Sequence, residues 1–437
     1  MAFSGKKVLI ASLGTRGDTQ PYVALAKELV NLGAEVVLST GQGFDAMIEA
    51  AGARARPVPI DYQALLRDTE VREALFSLKG AIKLARKSVR LQRDIVRMLW
   101  QTGLEEKPDL ILFNLKATAM TLVARRLNVP ALPTALQPVT ARTRAFPVPL
   151  FGLPNLGPGL NAMSYGFFRR LMSAGIAPVL KSLKHDAQAE LAQSGSLMDG
   201  HLPPGGRPLN LQAFSKALVP DPGDWSAEVW QSGYWFTEPD PSYRPPPDLA
   251  AFLEGGPPPV YLGFGSMPSR DPTGLTGIVL SALRTTGQRA ILATGWGGLT
   301  AAALDESMAK QIHLLDKAPH SWLFPRCSGV VHHGGAGTTH EALRWGKPSL
   351  VCPVFADQPF WGARVHRIGA GPAPIRQKKL TTENLARALK DLEMPTFRDG
   401  AERAARLMAS EPGAKGTADQ LARYQMRYPA SFPRQAG

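Results

Sequence analysis

The residues best suited to chemistry lie in one stretch, VVHHGGAGTTHEALRWGKPSLVCPVFADQPFWG, spanning 330–362. An apolar run of strand character ends there in a glycine-rich turn that opens a helix. The amides near Gly335, Ala336, Gly337 and Thr338 would then point toward an anion on the positive end of that helix, and the small side chains let a diphosphate approach closely. His333, at the strand end, is placed to donate to a phosphate oxygen, and Glu341, one turn into the helix, to accept from ribose hydroxyls. Asp357 and Gln358 follow the next strand, at the sheet edge where open α/β folds bind ligands; a carboxylate beside an amide suits sugar hydroxyls. A glycine-rich turn alone also serves ordinary helix–strand packing, so this pattern gains force only from its neighbours.

A second polar cluster, GTRGDTQP over 14–21, follows the first apolar run of the chain. Its Asp18 fits two descriptions: a carboxylate exposed at a strand–helix corner, or a plain helix N-terminal cap or charge.

The elements that must position these residues read as two successive α/β series. Residues 8–12, 34–40, 109–113 and 131–134 have strand character, with a helical run between the first two that ends at glycine. After the proline-rich PDPSYRPPP (239–247), strands are expected at 260–264, 289–293, 312–315, 329–332 and 349–353, with helices between them. Both halves are therefore expected to be doubly wound and to face one another across a cleft. A chain of 437 residues suits two such lobes.

Composition narrows the function classes. Lys and Arg number 50 against 36 Asp and Glu, a net charge of +14, which favours phosphorylated ligands, acidic lipid or nucleic acid. No recognised nucleic-acid module accompanies the charge, so nucleic acid is not expected as a partner. The two cysteines, Cys327 and Cys352, give neither a disulfide framework nor metal-ligand spacing, and neither a secretory leader nor an apolar run of membrane-spanning length is evident. A cytoplasmic protein is expected.

Between 75 and 99, Leu75, Leu78, Ile82, Val89, Val96 and Leu99 recur at helical spacing, with Lys79, Lys83, Arg86, Arg90, Arg93 and Arg97 on an adjoining face. That face reads as solvated or, alternatively, as a peripheral contact with an anionic inner-membrane surface. FPVPLFGLPNLGP, over 146–158, is apolar for a loop and is read as the cover of a greasy ligand or as a loop packed on its own lobe.

Taken in order, GTRGDTQPYVALAKEL from Gly14, KALVPDPGDW from Lys216, GYWF from Gly233, PPPVYLGFGSM from Pro257, APHSWLFPRC from Ala318, HHGGAGTT from His332 and DQPFWG from Asp357 form a set. The chain resembles the inverting, nucleotide-sugar-dependent glycosyltransferases of the GT-B fold, and within them the sterol glucosyltransferase branch. The resemblance implies an N-terminal acceptor-binding Rossmann-like domain over 1–235, a linker over 236–256, a C-terminal donor-binding Rossmann-like domain over 257–415 and a terminal helix over 416–437 that returns to the first domain.

It further implies diphosphate contacts from His333, Ala336, Gly337 and Thr338, a phosphate-side contact from Ser266, and Ala318 with His320 beside the base. Asp357 and Gln358 would read the donor sugar, and Thr15 and Arg16 would line the donor side from the first domain. Asp18 would be the general base. Plant relatives carry histidine at that position, so this chain sides with the sterol and antibiotic branches. Lys317 stands where plant enzymes place a tryptophan on uracil, a departure that leaves UDP and dTDP donors both open.

The chain contains no DxD sequence, so leaving-group charge is assigned to His333 and the helix end instead of a metal. The nucleotide sugar is a co-substrate and no cofactor is expected. His313, His340 and His366 read as surface or packing residues, and Trp296 and Trp361 as core aromatics or ring-stacking partners. The favoured activity is inverting transfer of a hexose, glucose first, from a UDP-sugar to an apolar alcohol such as a sterol. Polyketide, carotenoid and phenolic acceptors are the nearest alternatives, and a nucleotide-sugar epimerase or a non-catalytic lipid or nucleotide-sugar binder the more distant ones.

Overall fold

The computed structural model describes residues 2–67, 71, 78–203, 206–264, 271–294 and 308–428. Two parallel sheets organise them. The first has the order β3-β2-β1-β4-β5-β6-β7, built from Lys7–Ala11 (β1), Glu35–Ser39 (β2), Arg54–Ala55 (β3), Leu110–Phe113 (β4), Ala131–Ala135 (β5), Asn210–Gln212 (β6) and Val229–Gln231 (β7). The second has the order β10-β9-β8-β11-β12, from Val260–Gly263 (β8), Ala290–Ala293 (β9), Ile312–Leu315 (β10), Gly329–His332 (β11) and Ser349–Val351 (β12). This α/β architecture of two doubly wound lobes agrees with the expectation from sequence.

Segments such as VLIA in β1 and LILF in β4 are apolar at every position because helices cover both faces of a parallel sheet, leaving no wet side to alternate toward. Two three-residue strands escaped that signal. NLQ in β6 and VWQ in β7 lack an apolar run, yet they extend the first sheet through backbone pairing of Leu211 with Trp230.

The helices that position the site are Arg16–Asn31 (α1), Leu78–Glu106 (α2), Met120–Leu127 (α3), Pro158–Leu180 (α4), Pro272–Thr286 (α5), Ala336–Arg344 (α6), Gln358–Arg367 (α7) and Gly413–Arg427 (α8). Within the stretch expected as linker over 236–256, Pro247–Glu254 is helical, started by a proline at its first turn and anchored by buried Leu249.

The chain crosses between lobes twice. After β7 it passes Thr237, whose hydroxyl accepts from Gln20 of α1 at 2.7 Å and whose carbonyl accepts from Arg344 of α6 at 3.1 Å. It returns at α8, where Ala414, Ala418 and Leu421 join the core formed with Tyr22, Leu25 and Leu29 of α1. Trp235 is buried at this return and donates to Ser232 and to Thr417 of α8, each at 2.9 Å.

Candidate functional site

The second lobe contributes one strand–turn–helix unit. β11 ends at buried His332, whose Nδ1 accepts from the Gly334 amide at 3.0 Å; its Nε2 is buried with no partner among the described residues. Gly334 has φ 94°, and a Cβ there would stand 2.6 Å from Val351, so only glycine makes this turn. The next residue is constrained by the site itself. A Cβ on Gly335 would stand 2.6 Å from Nε2 of His333, which means that the His333 ring lies over the start of α6. The amides of Ala336, Gly337 and Thr338, the first three of that helix, meet no backbone acceptor among the described residues.

His333 is half-buried, and burial pushes its pKa down to about 4. Its Nδ1 is buried without a partner. At neutral pH the ring is therefore an uncharged hydrogen-bonding group, and the positive field at this mouth comes from the helix end. Ser266, expected on the phosphate side, lies outside the described residues, as does Trp296.

Asp357 stands directly after Ala356, which adopts a left-handed φ of 55°, and occupies the boundary position before α7 without a side-chain bond to the helix amides. The indole of Trp361 donates to its Oδ2 at 2.8 Å. Burial raises the Asp357 pKa to about 6, with the negative charge of Asp18 adding to the rise and Lys116 opposing it. Gln358 is less free than its sequence position suggests: its side-chain oxygen accepts from the amides of Val354 at 2.8 Å and Phe355 at 3.2 Å. Only its NH2 group is left to meet a ligand.

Glu341 accepts from the Trp345 indole at 2.8 Å, and burial holds its carboxyl above the usual range. His320 stacks on Phe324 with ring centroids 4.4 Å apart, and burial, then Arg16, depress its pKa to about 4. Ala318, half-buried, packs beside the same group, while Lys317 is exposed.

The first lobe's half is assembled around Asp18. Thr15 caps α1, and Asp18 is its third residue. The Thr15 amide donates to Asp18 Oδ2 at 2.9 Å and its hydroxyl does so at 3.3 Å, while Lys116 Nζ, from the turn after β4, reaches the same oxygen at 3.1 Å. All of these contacts fall on Oδ2, and Oδ1 receives none from the described residues. The two descriptions of Asp18 are thus compatible, since one oxygen caps the helix and the other stays open. Gly14 makes room for this, because with φ 146° a Cβ there would collide with that carboxylate at 2.1 Å. Arg16 is exposed, with Nε donating to Gln20 at 3.3 Å.

The halves face each other. Asp18 acts electrostatically on Asp357 of the opposing wall and on Tyr234, which lies just before the chain crosses between lobes, and Arg16 acts on His320. Tyr234 stacks on His340 at 4.5 Å, and its hydroxyl would stand 3.1 Å from a Cβ on Gly337. Residues 146–152 pack across the cleft rather than on their own lobe alone: Phe146 meets Phe360 at 5.3 Å and the Arg364 guanidinium at 4.8 Å, and Gly152 abuts Ala356 and Pro359. Among the described residues, no group of three or more His, Cys, Asp or Glu side chains is arranged to hold a metal.

Two participants, Lys116 and Asn114, were not singled out in the sequence. Lys116 follows β4, and β4 pairs with β1, so the ends of two adjacent parallel strands bring Lys116 and Asp18 together; the parallel order was the available signal. Asn114 braces this corner, donating to Ser12 and to the Leu13 carbonyl. His340, set aside as surface or packing, is a buried tie between lobes: Nε2 accepts from the Ser215 amide at 3.1 Å, and Nδ1 pairs with the Ala336 carbonyl at 2.7 Å. His313 and His366 are placed away from the cleft groups, against Phe252 and the Gly371 carbonyl respectively.

Known proteins give this geometry a context. Residues 8–146 match the glycosyltransferase family 28 N-terminal domain, and residues 299–423 match the erythromycin biosynthesis protein CIII-like C-terminal domain. Two sterol 3-beta-glucosyltransferases of Arabidopsis thaliana are 34% and 33% identical over 94% and 96% of this chain, which spans 64% and 68% of their lengths. A sterol 3-beta-glucosyltransferase of Neosartorya fischeri is 32% identical over 88% of the chain, which spans 27% of that protein.

Among solved structures, the calicheamicin glycosyltransferase superposes with a TM-score of 0.70 at 20% identity, covering 97% of this chain and 98% of that one. Glycosyltransferase VinC, solved with dTDP, gives 0.63 at 19% identity, covering 96% and 100%. These neighbours share the fold, and the sequence relatives set the branch: the chain belongs to the GT-B glycosyltransferases, among those similar to sterol 3-beta-glucosyltransferases.

Proposed function

We infer that the chain transfers a hexose, glucose first, from a UDP-sugar to the hydroxyl of an apolar acceptor such as a sterol, with inversion and without a metal. One observation carries this reading. A carboxylate with one open oxygen, Asp18, stands in the first lobe within electrostatic reach of a glycine-rich helix mouth and of Asp357 in the second.

In the reaction, the diphosphate rests against the amides of Ala336, Gly337 and Thr338 with a hydrogen bond to neutral His333. Asp357 and the NH2 group of Gln358 hold sugar hydroxyls, and Glu341 receives the ribose. Asp18 Oδ1 takes the acceptor's proton as its oxygen attacks the anomeric carbon, and the bond to the diphosphate breaks on the opposite face. Thr15, Arg16 and Ser266 complete the donor side, with Ala318 and His320 near the base. Charge on the leaving group is met by protein dipoles.

Relatives named as sterol glucosyltransferases favour a sterol acceptor, and the apolar residues 146–152 at the cleft wall suit one. Lys317, at the place of a stacking tryptophan, keeps dTDP-glucose in the trial. The test is incubation with UDP-glucose or dTDP-glucose, a panel of sterols, carotenoids, polyketides and phenols, and EDTA, followed by mass spectrometry. A β-glycoside formed in EDTA supports the reading. No product from any donor, or product only when divalent ions are restored, defeats it; sugar isomerisation with donor alone would indicate an epimerase.

A further inference from the structure

Helix α4 presents an apolar ridge that no described residue covers. Leu156, in the turn before it, and Leu160, Met163, Phe167 and Leu171 along it recur every three or four residues and so share one face. Their exposure runs from 37% at Leu156 to 67% at Met163, while Ala162, Tyr165, Phe168 and Val179 fill the opposite, buried face. With Leu153, the ridge holds six of the nine large hydrophobic side chains found exposed among the described residues. Scattered exposed leucines need no explanation, but a contiguous row of this kind marks an interaction surface.

The surrounding charge selects the partner. Residues 158–184 contain four cations, Arg169, Arg170, Lys181 and Lys184, and no acidic residue. The exposed face of α2 lies alongside, three arginines against one acid, Asp94: Arg93 donates to the Pro178 carbonyl at 3.3 Å and Arg97 to the Ser182 carbonyl at 3.5 Å, with Arg90 one turn away. Arg169 is paired with Asp199, but Arg90, Arg93, Arg97, Arg170, Lys181 and Lys184 form no ion pair with a described residue. A second copy of the chain would bring this cationic rim against its own like across a two-fold axis. A bilayer with anionic headgroups satisfies both features, taking the ridge into the boundary between headgroups and acyl chains and the cations onto phosphates. No helix among the described residues is long and apolar enough to cross a membrane, so α4 would lie in the surface plane.

We propose that the α4 ridge with its α2 rim is the face by which the protein docks on an anionic bilayer. The docked face runs through residues 151–152 to the loop bearing Asp357, since Gly152 abuts Ala356 and Pro359. An apolar alcohol dissolved in the same lipid layer would then reach the cleft without crossing water; this consequence rests on the glycosyl-transfer reading, whereas docking does not.

The experiment is co-sedimentation of the full chain with vesicles of phosphatidylcholine containing phosphatidylglycerol, against phosphatidylcholine alone. Binding is expected on the anionic vesicles, weakening with salt. The triple variant Leu160→Ser, Met163→Ser, Leu171→Ser should lose at least about tenfold in partition, and Arg90→Glu with Arg170→Glu should lose a comparable amount on anionic vesicles only.

A second readout does not depend on the folding of those variants. Both native cysteines are buried, so Met163→Cys offers one reactive thiol for an environment-sensitive fluorophore. Its emission should shift to the blue on anionic vesicles, while the same label at Lys378→Cys on the second lobe stays unchanged. Equal binding to both vesicle types, indifference to the triple variant, or a label at residue 163 that remains in water on bound protein would each overturn the proposal. So would a dimer, formed without lipid, that the triple variant dissolves. None of these outcomes depends on turnover, so docking and the assigned activity can fail separately.

Discussion

The two lobes build their halves of the cleft in different ways. The second lobe makes its anion site from one contiguous unit, β11, the turn at Gly334 and Gly335 and the start of α6, so that its geometry is stored in backbone conformation. The first lobe makes its half from parts far apart in sequence: Asp18 on α1, Lys116 after β4, and Asn114 bracing both. A site held by the backbone should tolerate loss of single side-chain contacts, whereas one held by side chains of separate loops should not. Substitutions in each half test that contrast.

The largest effect is expected at Asp18. Asp18→Asn keeps a side-chain oxygen able to cap α1 but is too weak a base, so kcat should fall about a thousandfold with the KM for nucleotide sugar little changed. Retention of full turnover would show that the carboxylate only caps the helix. On the opposite wall, His333→Ala should cost about a hundredfold in kcat, because one neutral donor is removed while the helix amides stay in place. A loss matching that at Asp18 would mean that the backbone contributes less than this contrast requires.

The difference also explains what the sequence could reveal. The GGAGTT turn, with His333 before it and Asp357 and Gln358 one strand later, was legible because each residue's place follows from its own βα unit. The strand–helix order of both lobes was legible for the same reason. Lys116 was not, because its partner is 98 residues away and only the pairing of β1 with β4 joins them. Nor was the engaged oxygen of Gln358, or His340 as a tie between lobes, since a helical histidine looks the same in sequence whether its ring meets water or the Ser215 amide. Strands β6 and β7 were missed because strands of three residues carry no period to read.

Acid should lower the stability of the fold before it protonates most carboxylates. His340 is wholly buried, and burial puts its pKa near 4 against 6.5 in the unfolded chain, while His332 lies well below the ordinary value. Between these limits the unfolded chain binds more protons than the folded one, so stability is complete above about pH 6.5 and declines as pH falls toward 4. Each such histidine should remove about 1 kcal/mol by roughly pH 5.5. Urea melts at the two ends of that range would detect it, and His340→Gln should flatten the slope. A pH-independent midpoint would sink the assignment of neutral, buried rings.

The smallest effect is the most discriminating for how the first lobe holds its carboxylate. The Lys116–Asp18 pair is partly exposed, with side chains 51% and 26% accessible, so its loss should change stability by only about 0–1 kcal/mol. Its effect on turnover should be larger than that, because Lys116 fixes Oδ2 and leaves Oδ1 to the acceptor, while also opposing the rise in the Asp357 pKa. Lys116→Met should therefore lower kcat about tenfold and move the acidic limb of the donor's kcat/KM profile to higher pH, since Asp357 would lose a nearby cation. Lys116→Arg, which keeps the charge, should restore the limb even if kcat stays low. If Lys116→Met changed stability and turnover in equal measure and left the pH profile in place, Lys116 would be a surface ion pair and nothing more, and Asp18 would be held by Thr15 alone.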